Sequence, residues 1–220
     1  MINKDTLMFG SFSKSPGNRG CSIFNSAFKY HGIDAIYKSY CIDNISDAVA
    51  AAKTLGFGGF AVSMPFKHTV IDYVDKLDYS VSLCDAANTI VNNDGILTAY
   101  NTDYLAAKDF LIQPEIRIIL KTRPLFVLGN GGYAAAVLCA IKEMGLSYTQ
   151  IDRSTWNLVG DIREAIVYNC TPVSSIKLHE NNVLIDCLTY TETGRKLGLM
   201  QASHQYFLYT GKKLPFSCDS

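Results

Sequence analysis

The sequence predicts an α/β protein of two domains, the first with a mostly parallel sheet, and three observations carry that expectation. From Thr6 to Val62, short apolar runs alternate with amphipathic helical stretches, the rhythm of parallel strands covered by helices. Far downstream, Pro124 to Leu128 begins a second unit in which a strand meets a glycine-rich turn and then a helix. Between them, Asn92-Asn93-Asp94-Gly95 is a hairpin signal flanked by apolar residues.

In chain order, Thr6 to Gly10 reads as a strand and Ser11-Phe12-Ser13-Lys14-Ser15-Pro16 as a loop. Its hydroxyls and backbone N–H groups can hold a carboxylate, although Ser/Pro strings also build ordinary turns. Ile23, Phe24, Ala27, Phe28 and Tyr30 or His31 fall at helix spacing, closed by Gly32. Ala35 to Cys41 is a strand, Asn44 an N-cap for the helix Ile45 to Leu55, and Gly56 to Gly59 leads into the strand Phe60 to Val62. Pro65 stops that strand, and Lys67 opens an expected helix through Val74 to about Leu77. Spacing alone makes Lys67 a solvated lysine, but it also stands where open α/β sheets place their chemistry.

Cys84 to Val91 and Gly95 to Asp103 read as the hairpin strands, with Asn88 and Asp103 each able to face a cleft or to serve a turn. Tyr104 to Ile112 is a helix joining the domains, and Gln113 to Arg123 is polar without clear patterning. The strand Pro124 to Leu128 then runs into Gly129-Asn130-Gly131-Gly132 and the helix Tyr133 to Met144, capped by Gly145. Glycines at such a turn let backbone N–H groups approach a pyrophosphate at the positive helix end, though the same string also serves structural turns. Tyr148 to Ile151 ends in Asp152-Arg153-Ser154, where an acid would hold ribose hydroxyls and an arginine the extra phosphate of NADP. With both present, NADP and NAD stay open. Ala165 to Asn169 and Val183 to Asp186 are further strands, and Leu197 to Tyr209, containing Gln201, His204 and Gln205, is a closing helix.

The 220 residues are 48% hydrophobic with a formal net charge of zero, enough for an ordinary core and without a basic face for nucleic acid or an anionic membrane. No apolar run has membrane-spanning length and no secretion leader is visible, so a cytoplasmic location and no membrane association are expected. The seven cysteines, at 21, 41, 84, 139, 170, 187 and 218, are scattered singly without metal-ligand spacing. Reduced thiols, no disulfide and no metal are therefore expected.

Taken in order, these strings resemble the shikimate dehydrogenase family, which reduces 3-dehydroshikimate to shikimate with NADPH. Ser13-Lys14-Ser15-Pro16 is similar to its Ser-x-Ser-Pro loop, and Ala61-Val62-Ser63-Met64-Pro65-Phe66-Lys67 to its Asn-Val-Thr-x-Pro-(Phe/Tyr)-Lys. Ala86-Ala87-Asn88-Thr89 resembles Ala-Val-Asn-Thr, and Asn101-Thr102-Asp103 matches Asn-Thr-Asp. Gly129 to Ala136 resembles Gly-x-Gly-Gly-Ala-x-x-Ala, Asp152-Arg153-Ser154 resembles Asn-Arg-Thr, and Asn169 to Pro172 resembles Asn-Ala-Thr-Pro. Gln201-Ala202, Phe207 and Thr210-Gly211 look like the closing helix.

The resemblance implies a substrate domain of residues 1–103 plus about 195–220 and a dinucleotide-binding domain of about 104–194. Lys67 and Asp103 would be the catalytic pair, and Ser13 and Ser15 would hold the substrate carboxylate. Ser63, Asn88, Asp103 and Gln201 would hold ring hydroxyls. Gly129, Asn130, Gly131, Gly132, Asp152, Arg153 and Gly194 would face the cofactor, NADP, or NAD in the alternative of an NAD-using quinate/shikimate dehydrogenase. The partner would be a small hydroxy acid, the protein a monomer or homodimer.

Departures from the pattern are specific. Ala61 and Ser63 replace Asn and Thr, Gly17 to Ile23 is inserted after the serine loop, and Thr189 stands where an aromatic is expected after Asp186. Short gaps after Ser154 and after Asp186 imply a reduced Rossmann-like NAD(P)-binding domain. An active reductase and a divergent, non-catalytic paralogue that binds a hydroxy acid or a partner are the two readings that follow.

Overall fold

A computed structural model describes residues 2–216; Cys218 lies outside them. The chain divides into two compact units, residues 2–102 with 202–216, and residues 103–201.

The first unit holds a six-stranded sheet. Its strands are β1 (Leu7–Ser13), β2 (Ala35–Cys41), β3 (Gly59–Val62), β4 (Lys76–Leu77), β5 (Thr89–Asn93) and β6 (Ile96–Tyr100), in the order β2-β1-β3-β5-β6-β4. β1 pairs in parallel with β2 and β3, and β4 with β6, whereas β5 is antiparallel to both neighbours. The expected hairpin is present, and Asp94 and Gly95 at its tip have φ of 51° and 86°, the paired left-handed geometry that suits a tight hairpin.

Helix α1 (Arg19–Tyr30) packs on β2, and α2 (Ile45–Thr54) starts at Asn44, whose Oδ1 accepts the Ser46 N–H at 2.9 Å. Phe12, Phe57, Phe60, Ile90 and Leu97 form the core beneath α2. A Cβ on Gly59 would lie 2.6 Å from the Tyr209 ring and 2.7 Å from the Ile90 carbonyl, so only glycine admits that approach.

Three local expectations change. β1 continues to Ser13, so the front of the serine loop is strand, and α1 starts four residues before Ile23. The helix expected from Lys67 is instead a loop and a 3-10 turn at Thr69–Tyr73, followed by β4. β-branched Thr69, Val70 and Ile71 favour helix weakly, and β6 offers an edge: Leu97 N–H reaches Asp75 Oδ2 at 2.7 Å and Asp75 N–H reaches Leu97 O at 2.9 Å. The strand expected from Cys84 begins only at Thr89, because Tyr79–Cys84 is helix α3, capped by Asp78 on the Ser80 N–H at 2.9 Å.

The second unit contains β7 (Leu125–Leu128), β8 (Thr149–Ile151), β9 (Ile166–Asn169) and β10 (Val183–Asp186), wholly parallel in the order β10-β9-β7-β8. Between β7 and β8 runs α6 (Gly132–Glu143); between β8 and β9 there is only a 3-10 turn, Trp156–Asp161. The unit is thus a reduced doubly wound sheet. α4 (Thr102–Leu111) opens it, and α5 (Pro114–Leu120) follows, unmarked in the sequence because none of its residues is buried and no apolar face is required.

Helix α7 (Glu192–Thr210) begins in the second unit and ends in the first. There Tyr206, fully buried, donates its hydroxyl to Ala27 O at 3.2 Å, and Tyr209 packs on Phe9. The six described cysteines are free thiols. No described helix is long and apolar enough to cross a membrane.

Candidate active site

The mixed sheet of the first unit gathers functional groups at one edge. β1 and β3 end there, β5 starts there and β6 ends there, as the register Phe12↔Val62, Ala61↔Thr89 and Thr89↔Tyr100 requires. Ser13, the last residue of β1, and Ser15, Ser63, Lys67 and Asn88, from the adjoining loops, therefore stand at the same edge. Backbone bonds tie these loops together: Ser63 N–H to Phe12 O at 3.0 Å, Lys14 N–H to Met64 O at 3.4 Å, Val62 N–H to Asn88 O at 2.8 Å and Ala87 N–H to Lys67 O at 2.8 Å. The Met64–Pro65 peptide is cis, and Phe66 N–H closes the turn on Ser63 O at 3.0 Å. Ser13 is buried, Lys67 half-buried, and Ser15 and Ser63 exposed.

Asn88 is 5% exposed and its carbonyl is saturated. Oδ1 accepts the Thr102 N–H at 2.8 Å, the Thr102 hydroxyl at 2.9 Å and the Thr89 hydroxyl at 3.0 Å. A backbone N–H can only donate, so the atom facing it must be oxygen and the amide NH₂ must point the other way. That NH₂ donates no hydrogen bond among the described residues, which leaves two donors for a ligand oxygen. Thr89, Thr102 and Asn101, whose Nδ2 holds Ala86 O at 2.8 Å, are buried supports that no local pattern marks as such.

In the second unit, β7 has β8 on one side and β9 on the other, so the strand order reverses between β7 and β9. The carboxyl ends at such a reversal form a ligand crevice. Gly129 follows β7 with φ of 116°, and a Cβ there would lie 3.0 Å from Thr171 Cγ2 and 3.3 Å from Cys170 O. Glycine is required on both counts. Gln150 Nε2 donates to Gly129 O at 2.9 Å and steadies the turn that Asn130, Gly131 and Gly132 continue into α6. The first N–H groups of α6 have no intrahelical acceptor and suit a phosphate.

Asp152 Oδ1 accepts the Ser154 N–H at 2.8 Å and hydroxyl at 2.6 Å, bonds that hold its carboxyl below the usual range. Arg153 is exposed and makes no hydrogen bond or ion pair among the described residues. Asn169 organises the facing loop: Oδ1 takes the Thr171 N–H and hydroxyl at 2.9 and 2.7 Å, and Nδ2 donates to Asp186 Oδ1 at 3.0 Å. Tyr133 places its hydroxyl 3.2 Å from that of Tyr168, and burial pushes both phenols far up.

Gly194 is buried in the first turn of α7, where a Cβ would collide with the Leu188 carbonyl; its N–H donates to Thr191 Oγ1 at 3.1 Å. Local packing is reason enough for glycine there. Asp103 is buried in the first turn of α4, and Gln201 is half-buried in α7; both belong to the second unit.

Residues 11–90 match the family described as shikimate dehydrogenase substrate binding domain. A shikimate dehydrogenase-like protein of Haemophilus influenzae is 33% identical over 196 residues, covering 89% of this chain and 70% of that protein. A shikimate dehydrogenase (NADP(+)) of Caldanaerobacter subterraneus subsp. tengcongensis is 31% identical over 201 residues, covering 88% of this chain and 71% of that one. Among solved structures, a shikimate 5-dehydrogenase-like protein superposes with a TM-score of 0.80 at 28% identity, covering 97% of this chain and 94% of the other. The shikimate dehydrogenase of Aquifex aeolicus gives 0.85 at 21% identity, a likeness of fold, and covers 99% of this chain and 97% of its own.

Proposed function

The chain belongs to the shikimate dehydrogenase family, and on that premise we propose that it reduces 3-dehydroshikimate to shikimate with NADP. The observation that carries the proposal is the array at the edge of the first sheet, where Lys67 and the outward amide of Asn88 come from neighbouring segments joined by the Ala87 N–H.

The second unit fits a dinucleotide. The glycine turn presses on the Cys170–Thr171 loop, leaving backbone N–H groups at the start of α6, and the Arg153 guanidinium has no other partner among the described residues to forgo for a phosphate. Asp152, by contrast, spends Oδ1 on its own turn, which favours NADP over NAD. Gly129 to Gly132 would cradle the pyrophosphate and Arg153 the extra phosphate, with Gly194 bordering the site. The bound cofactor supplies hydride to the substrate ketone.

The chain's own residues do the rest. Ser13 and Ser15 donate to the substrate carboxylate, while Ser63, Asn88 and Gln201 hold ring hydroxyls. Negative charge grows on the ketone oxygen during reduction, and the Lys67 ammonium stabilises it and delivers a proton. Asp103 is the carboxylate assigned to keep Lys67 charged and to hold a ring hydroxyl. No step calls for a metal.

The test is nicotinamide absorbance with purified protein, shikimate and NADP. Turnover is expected; none with NADP or NAD on either shikimate or quinate would sink the proposal. The four-stranded second sheet, with a 3-10 turn in place of a crossover helix, favours one alternative, a paralogue that binds a hydroxy acid without hydride transfer. Tight NADPH binding in calorimetry counts against that alternative.

A further inference from the structure

We propose that His68 is a positioning residue for Lys67, its imidazole tying the lysine-bearing turn to the carbonyl of Asp85. The inference rests on Lys67 as the proton donor proposed above. Lys67 does not sit in a helix: between the turn at Ser63 and the 3-10 turn at Thr69 the chain is a loop, without a ladder of its own to hold it. Two bonds flank the lysine and run to the same segment. Ala87 N–H donates to Lys67 O at 2.8 Å, and His68 Nδ1 stands 2.5 Å from Asp85 O.

A carbonyl only accepts, so the proton lies on Nδ1, where both the imidazolium and one neutral tautomer carry it. Asp85 ends α3 with φ of 50° and ψ of 33°, and a carbonyl at a helix end lacks an intrahelical donor; His68 supplies one. The segment is itself rigid, because Asp85 N–H is held by Val81 O at 2.8 Å, Ala86 O by Asn101 Nδ2 at 2.8 Å and Asn88 Oδ1 by the Thr102 N–H at 2.8 Å. His68 thus anchors the lysine-bearing turn to a fixed frame, one residue from the group that must meet the ketone oxygen. Without the imidazole the tie to Asp85 is lost, and the Ala87 N–H alone links this turn around Lys67 to the 85–88 segment.

The test compares wild type with His68→Ala and His68→Asn, because an asparagine Nδ2 lies where the imidazole carries Nδ1. In the shikimate assay, H68A should lower kcat by about tenfold to hundredfold, as displaced catalytic groups do, with KM for shikimate within about threefold. H68N should stay within about threefold of wild type in kcat, since it keeps the donor. Hydrogen exchange at the Ala87 amide is a second readout that needs no turnover; it should quicken in H68A and remain near wild type in H68N. Wild-type kcat in H68A, or H68N as impaired as H68A, overturns the inference. Absence of turnover in the wild type itself would defeat the proposed function instead, and the Ala87 exchange rates alone would then decide the role of His68.

Discussion

Thr102 donates its backbone N–H to Asn88 Oδ1 at 2.8 Å, and this bond fixes which end of the Asn88 amide faces outward. With the Thr102 and Thr89 hydroxyls on the same oxygen, the carbonyl is wholly occupied by the protein. The amide nitrogen is what remains for a ligand. Asn88→Asp keeps the acceptor and removes the outward donor, so KM for shikimate should rise by about tenfold. Asn88→Ala also strips the buried Thr102 N–H of its acceptor and should lower stability by about 1–3 kcal/mol in denaturant unfolding. An Asp variant with wild-type KM would show that the amide does not meet substrate.

Lys67→Met should lower kcat by about 10²- to 10⁴-fold, the range for losing a positioned general acid, while KM moves only a few-fold. Steady-state kinetics with shikimate and NADP measures the split. A loss confined to KM would make Lys67 a binding residue.

Arg153→Ala should weaken NADP about tenfold or more, the scale of one charge-assisted contact, and leave NAD unchanged. Titration of the two cofactors by calorimetry compares them directly. Equal loss for both would remove Arg153 from the phosphate site.

Gly129→Ala puts a side chain on a residue with φ of 116° and brings its Cβ to 3.0 Å from Thr171. It should cost about 1–3 kcal/mol of stability and abolish NADP binding. Retained binding with unchanged melting temperature would mean that the turn is free to rearrange.

Asp75 gives the pH dependence a sign. The Leu97 N–H and the Lys53 ammonium hold its carboxyl below the usual range, so it contributes stability above the unfolded-state value and loses it as pH falls through the lower folded value. Asp75→Asn should flatten the decline in melting temperature as pH falls from the unfolded-state value through the lower folded value, relative to wild type. Parallel curves would leave the β4 edge without an acid-sensitive anchor.

Much of the molecule was legible in the chain because it depends on neighbours in sequence. The Asn44 cap, the hairpin at Asp94-Gly95 and the glycine turn after β7 each need particular residues at particular offsets, and each stands where the spacing predicts. α5 was not legible, since an exposed helix needs no apolar stripe. β4 and α3 were not either: the choice of strand over helix at Lys76–Leu77 follows from pairing with β6, and residue propensity does not contain that partner.

The same division holds at the candidate site. Ser13, Lys67, Asn88 and the glycines could be named because their strings, taken together and in order, resemble the family's motifs; spacing alone left Lys67 a solvated lysine. Their support could not. That Asn88 turns its nitrogen outward, that the Tyr133 and Tyr168 hydroxyls meet and that His68 reaches Asp85 are contacts between residues 14, 35 and 17 positions apart. A sequence determines which groups are available and where the chain must turn; only the folded sheet, by bringing strand ends into register, decides which donors are consumed by the protein and which are left for a ligand.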